Sequence, residues 1–420
     1  MWKQVLMGSA VVLGGTLISR LFTFLYNTML IRELSVSDFA VFSLFMSILS
    51  WILIFSHFDL YAAVSKFVSE SISKGHVKIA WNYHYNAVLL ATALSVLGVA
   101  AAALLSAKIA ASSLYSVFFF FSLIPLSVVT VNDGLIKGYQ RFSLSAYVDV
   151  SAGFSKFIAV SAFVFMVGVL SLNDVFVLFA LASSISLLLS IKFIRKLRSV
   201  YAPLSGNADR MIIKRLMSFS KWVCLTDLAN TGILLFLNLM LSFYSYQDLA
   251  RFNVVVLIYS MFQLSYGAIT TVLIPKIARL AAQGGKIDKL GRRDIAYMYG
   301  MTIVIVIALY YLPYQERILQ LFFKKAVYYD SLQYVAVLLF VLPLRIVTMT
   351  NKGILQGLEY PGDAARASVI SLLGLIAVSL PLYTMFHFNG IIASLLLAYI
   401  LEFTLYNRAI GNRLTHHVSS

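Results

Sequence analysis

The sequence predicts an all-α membrane protein that crosses the bilayer about twelve times, as two similar lobes of six helices. Three observations carry that expectation. Apolar residues make up 60% of the 420 and charged residues only 12%, where soluble domains carry about 25% charge. Apolar runs of membrane-crossing length recur along the whole chain. And one phrase, NDGLIKGYQ at Asn132–Gln140, returns as NKGILQGLE at Asn351–Glu359, each time after an apolar run.

A bilayer core of about 30 Å takes roughly 20 helical residues to cross. The first half offers six such runs, near Val5–Ile31, Phe39–Phe58, Asn82–Ser106, Ser113–Leu135, Leu144–Met166 and Val175–Ile194. The second half offers Met217–Phe243, Phe252–Ile274, Ile295–Leu312, Tyr334–Thr350, Ala367–Phe386 and Gly390–Tyr406. All are rich in Leu, Met, Ala and Phe without strict alternation, which favours helices over a barrel. The ninth is short and the tenth carries Arg345. The first run is one of many, so it reads as a span and not as a cleaved signal. A single Cys, Cys224, excludes an intramolecular disulfide framework and sits in an apolar run as a small buried residue.

The net charge of +16 is placed as topology requires, which argues against nucleic acid. With the N-terminus inside, the basic residues concentrate in cytoplasmic segments, most densely at Lys192–Lys221 and Lys276–Arg293. The outer loops keep Arg32, Lys108, Arg317, Lys324 and Lys325. By the positive-inside rule both termini are expected in the cytoplasm, in a multi-pass protein of the cytoplasmic membrane. The basic loops then meet anionic headgroups.

The repeat extends upstream of the quoted phrase. SDFAVFSLF (Ser37–Phe45) aligns with QDLARFNVV (Gln247–Val255). In the same register SKFVSESISKG (Ser65–Gly75) aligns with PKIARLAAQGG (Pro275–Gly285). The expected organisation is an N-terminal six-helix lobe (1–194), a basic cytoplasmic linker (195–215) and a C-terminal lobe (216–420). Six is even, so the lobes should be related by a pseudo-two-fold axis along the membrane normal, with a V-shaped cavity between them. Gly134/Gly138 and Gly353/Gly357 have the spacing that lets helices approach closely, and the paired Gly14-Gly15 has the same use.

At this point the residues resemble a known family. LSVSDFAVFSLFMSI (Leu34–Ile48) resembles the Leu-Gly-Pro-x-x-Phe-Gly-x-Phe segment of the polysaccharide transporters. Those belong to the multidrug/oligosaccharidyl-lipid/polysaccharide (MOP) exporter superfamily. Here Ser35-Val36 stands where that family often has Gly-Pro. GLIKGYQRFSLSAYVDVSAGFSKF (Gly134–Phe157) is similar to their turn between helices four and five. YYDSLQYVAVLLFVLPLRIVTMTNKGILQG (Tyr328–Gly357) is similar to the tenth helix of the O-antigen flippases. The resemblance implies a transporter that flips an undecaprenyl-diphosphate-linked oligosaccharide, an O-antigen or related unit destined for lipopolysaccharide or another surface glycan. It implies a central cavity lined by the first, second, seventh and eighth helices. The partners it implies are that lipid-linked substrate, membrane lipids, a coupling H+ or Na+, and the polymerase and chain-length proteins of the same pathway.

Such a substrate demands cations inside the membrane. The first helix has Thr16, Arg20, Thr23 and Asn27 on one face. The seventh carries Asp227, Asn230, Thr231 and Asn238. The second carries Ser43, Ser47, Ser50 and His57, and the eighth Tyr259, Gln263, Tyr266 and Thr270. Arg20 leads the candidates for the diphosphate, because a guanidinium fork holds phosphate oxygens in pairs. Its alternative use is an ion pair with Asp38, Asp59 or Asp227. Arg345, in the tenth helix, is a second candidate. Lys156 shares a helix face with Asp149, so a pair within the lobe competes with a cavity role. Arg251 either snorkels outward or guards the cavity mouth. Asp59, Asp227 and Glu70 are the candidates for a coupling ion, with Lys66, Glu70, Lys276 and Arg279 for gating pairs or headgroup anchoring.

No Walker loop, metal spacing or cofactor motif is present, and no enzyme is expected. The rivals to a flippase are a drug or ion antiporter of the same superfamily, which would favour an acidic cavity, and a membrane-bound glycan polymerase or glycosyltransferase. The latter needs large outer loops, whereas the longest expected one is Pro313–Ser331, with Glu316 and Asp330.

Overall fold

The computed structural model describes residues 2–109, 114–139, 141–201, 207–263, 322–357 and 360–419, with short pieces between 299 and 320. Among the described residues all regular structure is helical. The helices are α1 (Trp2–Glu33), α2 (Val36–His57), α3 (Leu60–Ser73), α4 (Val77–Ile109), α5 (Leu114–Phe121), α6 (Leu123–Gly138), α7 (Phe142–Val167), α8 (Leu172–Tyr201), α9 (Arg210–Tyr244) and α10 (Tyr246–Phe262). A 3-10 turn at Ala326–Tyr328 leads into α11 (Ser331–Leu339), α12 (Leu342–Gly357), α13 (Pro361–Phe386) and α14 (Phe388–Ser419). Eight helical segments among these are long and apolar enough to cross a membrane, or nine if the bent pair at α11–α12 is one span. The second half of the expected eighth span and most of the ninth lie outside the described residues.

Two expected spans, the fourth and the tenth, are each built from two helices, and the second span runs on past its expected end at Phe58 into a further helix; each break has a local cause. Between α2 and α3, Phe58 and Asp59 both take left-handed backbone (φ 48° and 47°), a conformation that interrupts the helical ladder. The fourth span divides at Ser122, whose hydroxyl donates to the Phe119 carbonyl (2.6 Å), with Pro125 in the first turn that follows. The tenth bends by 54° between its two pieces, where Pro343 opens α12. Proline is tolerated in a first turn because its missing N–H has no helical partner there.

The duplication is visible in the helix starts. Ser35 caps α2 by accepting from the Asp38 N–H (3.0 Å), and Ser245 caps α10 by accepting from the Asp248 N–H (3.1 Å). The Ser-x-x-Asp pairs stand at matching places in the two halves. At each start the serine oxygen satisfies an N–H that has no partner within the helix.

The repeated phrase is also repeated in structure. Asn132 on α6 donates to the Ser190 hydroxyl on α8 (2.6 Å) and accepts from His84 Nε2 on α4 (2.8 Å). Asn351 on α12 donates to Asn407 Oδ1 on α14 (2.9 Å). In each half the Asn ties the fourth span to the sixth through a side-chain hydrogen bond between neighbouring helices. The glycines that follow give close approach: a Cβ on Gly134 would lie 2.7 Å from the Tyr61 carbonyl, and one on Gly138 2.7 Å from Val68 Cγ1.

The chain forms two compact units. The first comprises Met1–Asp38 and Phe45–Cys224, the second Phe39–Leu44 and Leu225–Ser420. In the first unit α3, α4, α6 and the start of α9 bury Leu60, Val64, Phe67, Trp81, Leu135 and Leu216. A second aromatic nucleus stacks Phe45 on Phe176 (5.1 Å) and packs Phe119 against Phe179 (5.0 Å). The FFFF run divides accordingly, Phe119 and Phe120 inward and Phe118 and Phe121 outward. Residues 207–209 belong to this unit: Asn86 donates to the Asn207 carbonyl (2.9 Å) and accepts from the Asp209 N–H (2.8 Å). The boundary expected at residue 216 therefore falls inside α9, whose first half, to Cys224, belongs to the first unit. Cys224 is buried, as a small apolar-run residue should be.

In the second unit α13 and α14 form an antiparallel pair, with Ala364, Ala367, Tyr406 and Ile410 buried beside Ile354 and Leu355 of α12. Across α12, α13 and α14 runs a buried polar chain, in which Arg345 pairs with Glu402 and Ser368 lies 3.0 Å from the Tyr406 hydroxyl.

Candidate functional site

The site is built on the seam between α1 and α7, both in the first unit. Small residues bring these helices together: a Cβ on Gly15 would lie 2.4 Å from Ala146 Cβ, and one on Gly153 2.7 Å from the Ser19 carbonyl. Phe22 packs edge-on against Phe154 (5.1 Å) and beside Phe157 (5.9 Å). The Ser19 hydroxyl crosses the seam to the Asp149 carbonyl (2.7 Å).

Beside this close contact lies a cleft of about 280 Å³ lined by Thr16, Ser19, Arg20, Thr23, Asp149, Ala152, Gly153 and Lys156. Arg20 and Lys156 each stand near the middle of their helix. They are intramembrane cations of the kind that face a cavity or a partner. Arg20 makes no ion pair or hydrogen bond among the described residues. Lys156 lies over the Phe179 ring (4.4 Å from its centre) and has no carboxylate partner among them. The Asp149 carboxylate is likewise unpaired; its charged neighbours are Arg20 and the Asp133–Lys137 pair of α6. Lys137 is taken up by Asp133 (2.8 Å) and by the Tyr61 hydroxyl (3.2 Å).

The stripe read from the sequence thus divides. Thr16, Arg20 and Thr23 share the cleft, while Asn27 donates back to the Thr23 carbonyl (2.8 Å) and Thr23 to that of Ser19 (3.0 Å). Asp38, Asp59 and Asp227, the carboxylates weighed as partners for Arg20, are all engaged elsewhere. Asp38 accepts from the Ser35 hydroxyl (2.6 Å), Asp59 lies 3.9 Å from His57 Nδ1, and Asp227 pairs with Lys352. Ser19, Asp149, Ala152 and Gly153 complete the cleft beside the expected Thr16, Arg20, Thr23 and Lys156. Ser19 was legible as the residue one turn beyond Thr16.

The other candidate charges are fastened within their own units. Arg345 pairs with Glu402 and lies over the Tyr399 ring (4.3 Å); its side chain is 8% exposed. Arg251 pairs with Asp330 and lies over the rings of Tyr334 (4.8 Å) and Phe388 (4.4 Å). Neither offers a free guanidinium to a diphosphate. Glu70 pairs with Lys74 (2.7 Å) and Arg215 (3.5 Å), and Arg215 donates to the Tyr83 hydroxyl (2.7 Å). Lys66 lies over the Phe219 ring (4.7 Å). A coupling cation at Asp227 or Glu70 would have to displace an existing partner.

The remaining polar positions are dispersed. Ser50 donates to the Met46 carbonyl (2.7 Å), Ser47 sits on the same helix α2, and Gln263 ends α10. Asn230 Oδ1 is buried and accepts no hydrogen bond among the described residues. Lys276 and Arg279, with Tyr266 and Thr270, lie outside the described residues. Among the described residues no group of His, Cys, Asp and Glu is placed to hold a metal ion.

Comparison with known proteins fits this architecture. Three solved structures share the fold across nearly their whole length. An inward-facing multidrug resistance MATE family transporter of the MOP superfamily has a TM-score of 0.76 at 11% identity, covering 98% of this chain and 99% of its own. An outward-facing one has 0.74 at 13%, covering 100% and 97%. A MOP superfamily transporter from Pyrococcus furiosus, described as having a binding pocket of reverse polarity that suggests a different function, has 0.69 at 13%, covering 97% and 96%. At these identities the likeness fixes the fold, a two-lobe arrangement of twelve helices. No curated protein sequence matches the chain. The family model for polysaccharide biosynthesis proteins matches residues 5–281, a stretch that includes the whole cleft. The chain is a multi-pass membrane protein that belongs to the polysaccharide biosynthesis protein family and has the transporter fold of the MOP superfamily.

Proposed function

We infer that the protein is a flippase for a prenyl-diphosphate-linked oligosaccharide. It carries the repeat unit of a surface glycan, O-antigen or a relative, across the cytoplasmic membrane by alternating access. The observation that carries this reading is the α1–α7 cleft. Among the described residues Arg20 and Lys156 both lack a carboxylate partner there, and they stand among the hydroxyls of Thr16, Ser19 and Thr23. A membrane-embedded protein keeps two unpaired cations at considerable cost, and a diphosphate is the complementary charge. A cationic drug would meet two positive side chains and one carboxylate, which disfavours the drug-exporter reading despite the shared fold. Polysaccharide biosynthesis as the family's process supports a glycan-bearing lipid as the owner of that diphosphate. Energy from H+, Na+ or the membrane potential acting on the charged substrate completes the cycle.

Binding tests the reading. A short-chain prenyl diphosphate bearing one sugar is titrated against the detergent-purified protein. A charge-assisted hydrogen bond contributes about 1.5–3 kcal/mol, so Arg20→Ala should weaken binding by about 10- to 150-fold. Arg20→Lys keeps the charge and loses the fork, and should fall between. Equal affinity in the wild type and Arg20→Ala would show that the cleft does not bind the diphosphate.

A further inference from the structure

The cleft contains a group that a simple diphosphate site would not want. Asp149 stands seven residues before Lys156 on α7, about 10 Å along the helix axis, and both line the cleft opposite Arg20. Its main-chain carbonyl is used by Ser19 (2.7 Å), but its carboxylate has no hydrogen bond or ion pair among the described residues. The nearby Lys137 is committed to Asp133 (2.8 Å), and Asp133 also accepts from Ser145 (2.5 Å). Asp149 is therefore not the structural partner of any one cation. It is an acceptor left open inside a site that is otherwise set for an anion.

A carboxylate accepts hydrogen bonds and repels negative charge. The two lipids that such a site must tell apart differ in just those properties. A bare prenyl diphosphate ends in an unesterified phosphate with an additional ionisable oxygen and no sugar hydroxyl beyond it. A glycosylated one has that oxygen esterified, carries less charge, and presents sugar hydroxyls as donors next to the diphosphate. Resting on the flippase reading, we propose that Asp149 is a specificity-determining residue. It accepts a hydrogen bond from the first sugar while Arg20 and Lys156 hold the diphosphate, and so it rejects the unglycosylated lipid carrier. The site would then refuse the bare carrier lipid and admit only carrier that a glycosyl transfer has already loaded.

Two probes decide it: a short-chain prenyl diphosphate, and the same molecule bearing a single sugar on its terminal phosphate. Each is titrated against the full-length protein in detergent at one ionic strength. Wild type should prefer the glycosylated probe by at least about tenfold, since a site that pairs a substrate hydroxyl discriminates against the analogue lacking it. Asp149→Asn removes the negative charge at nearly constant shape. It should bind the bare diphosphate more tightly than wild type does, bringing the two affinities towards equality. Asp149→Ser gives the same reading should Asn fail to fold. Wild type that binds both probes equally, or a preference unchanged in the Asp149 variants, overturns the assignment and leaves the flippase reading standing. Wild type that binds neither probe overturns both.

Discussion

Glu402→Ala is expected to cost about 3–5 kcal/mol, because it leaves the Arg345 guanidinium buried without its counter-charge. Arg345 is 8% exposed at its side chain and Glu402 is 0%, so water does not reach the pair to compensate. Arg345 also lies over the Tyr399 ring (4.3 Å), and Ser368 is 3.5 Å from the Glu402 carboxylate. The pair therefore joins α12 to α14 beside a hydroxyl of α13. Arg345→Ala strands the carboxylate instead and should be comparably destabilising. Replacing both charges together, as Arg345→Met with Glu402→Leu, should recover much of the loss, since apolar residues of similar volume often match a buried pair. Melting temperature in detergent reads all four proteins. Wild-type melting of Glu402→Ala would show that this pair does not hold the second unit together.

The second large effect is expected at Gly15. A single methyl there would sit 2.4 Å from Ala146 Cβ and 3.0 Å from Ala146 Cα, far inside contact distance. Gly15→Ala should therefore push α1 from α7. Overpacking a well-fitted seam costs about 1–3 kcal/mol, against which alanine's better helix propensity returns about 1 kcal/mol. The cleft lies on the same seam, so substrate affinity should fall along with stability. Ala146→Gly in the Gly15→Ala background removes the clashing atom and should restore part of both. Gly14→Ala is the control, with nothing within 4 Å of its Cβ position; it should be neutral or mildly stabilising. If Gly15→Ala and Gly14→Ala behave alike, the seam is not closely packed.

What the sequence could show follows from what is periodic and what is distant. The Thr16, Arg20, Thr23 stripe repeats at helical spacing, so one helix face could be read directly. Asp149 and Lys156 could be put on one face for the same reason. That α1 stands against α7 could not, because the seam joins residues such as Ser19 and Asp149 that are 130 apart, and no local pattern records it. The same distance hid the ion pairs. Arg345 and Glu402 are 57 residues apart, Arg251 and Asp330 79, and Lys352 and Asp227 125. Arg345, Arg251 and Asp227, each taken alone, are therefore candidates for a substrate or a coupling ion in the sequence, and their partners Glu402, Asp330 and Lys352 are too distant to show it. The paired caps Ser35-x-x-Asp38 and Ser245-x-x-Asp248 are fully local, and the aligned Asp38 and Asp248 mark them in the sequence. The repeated Asn phrase was read as a helix-packing device through its glycines. Its asparagines, each bonding the sixth span of its own half, are the other part of that device.

Reconstituted transport decides whether the Arg20 cleft carries the lipid. Wild type and Arg20→Ala are placed in lipid vesicles with a fluorescent prenyl-diphosphate-linked sugar, and the fraction accessible on the opposite leaflet is followed in time. Wild type should move the lipid, and Arg20→Ala, at an unchanged melting temperature, should move it at least about tenfold more slowly at subsaturating substrate. Equal rates for the two proteins would show that the cleft does not carry the lipid.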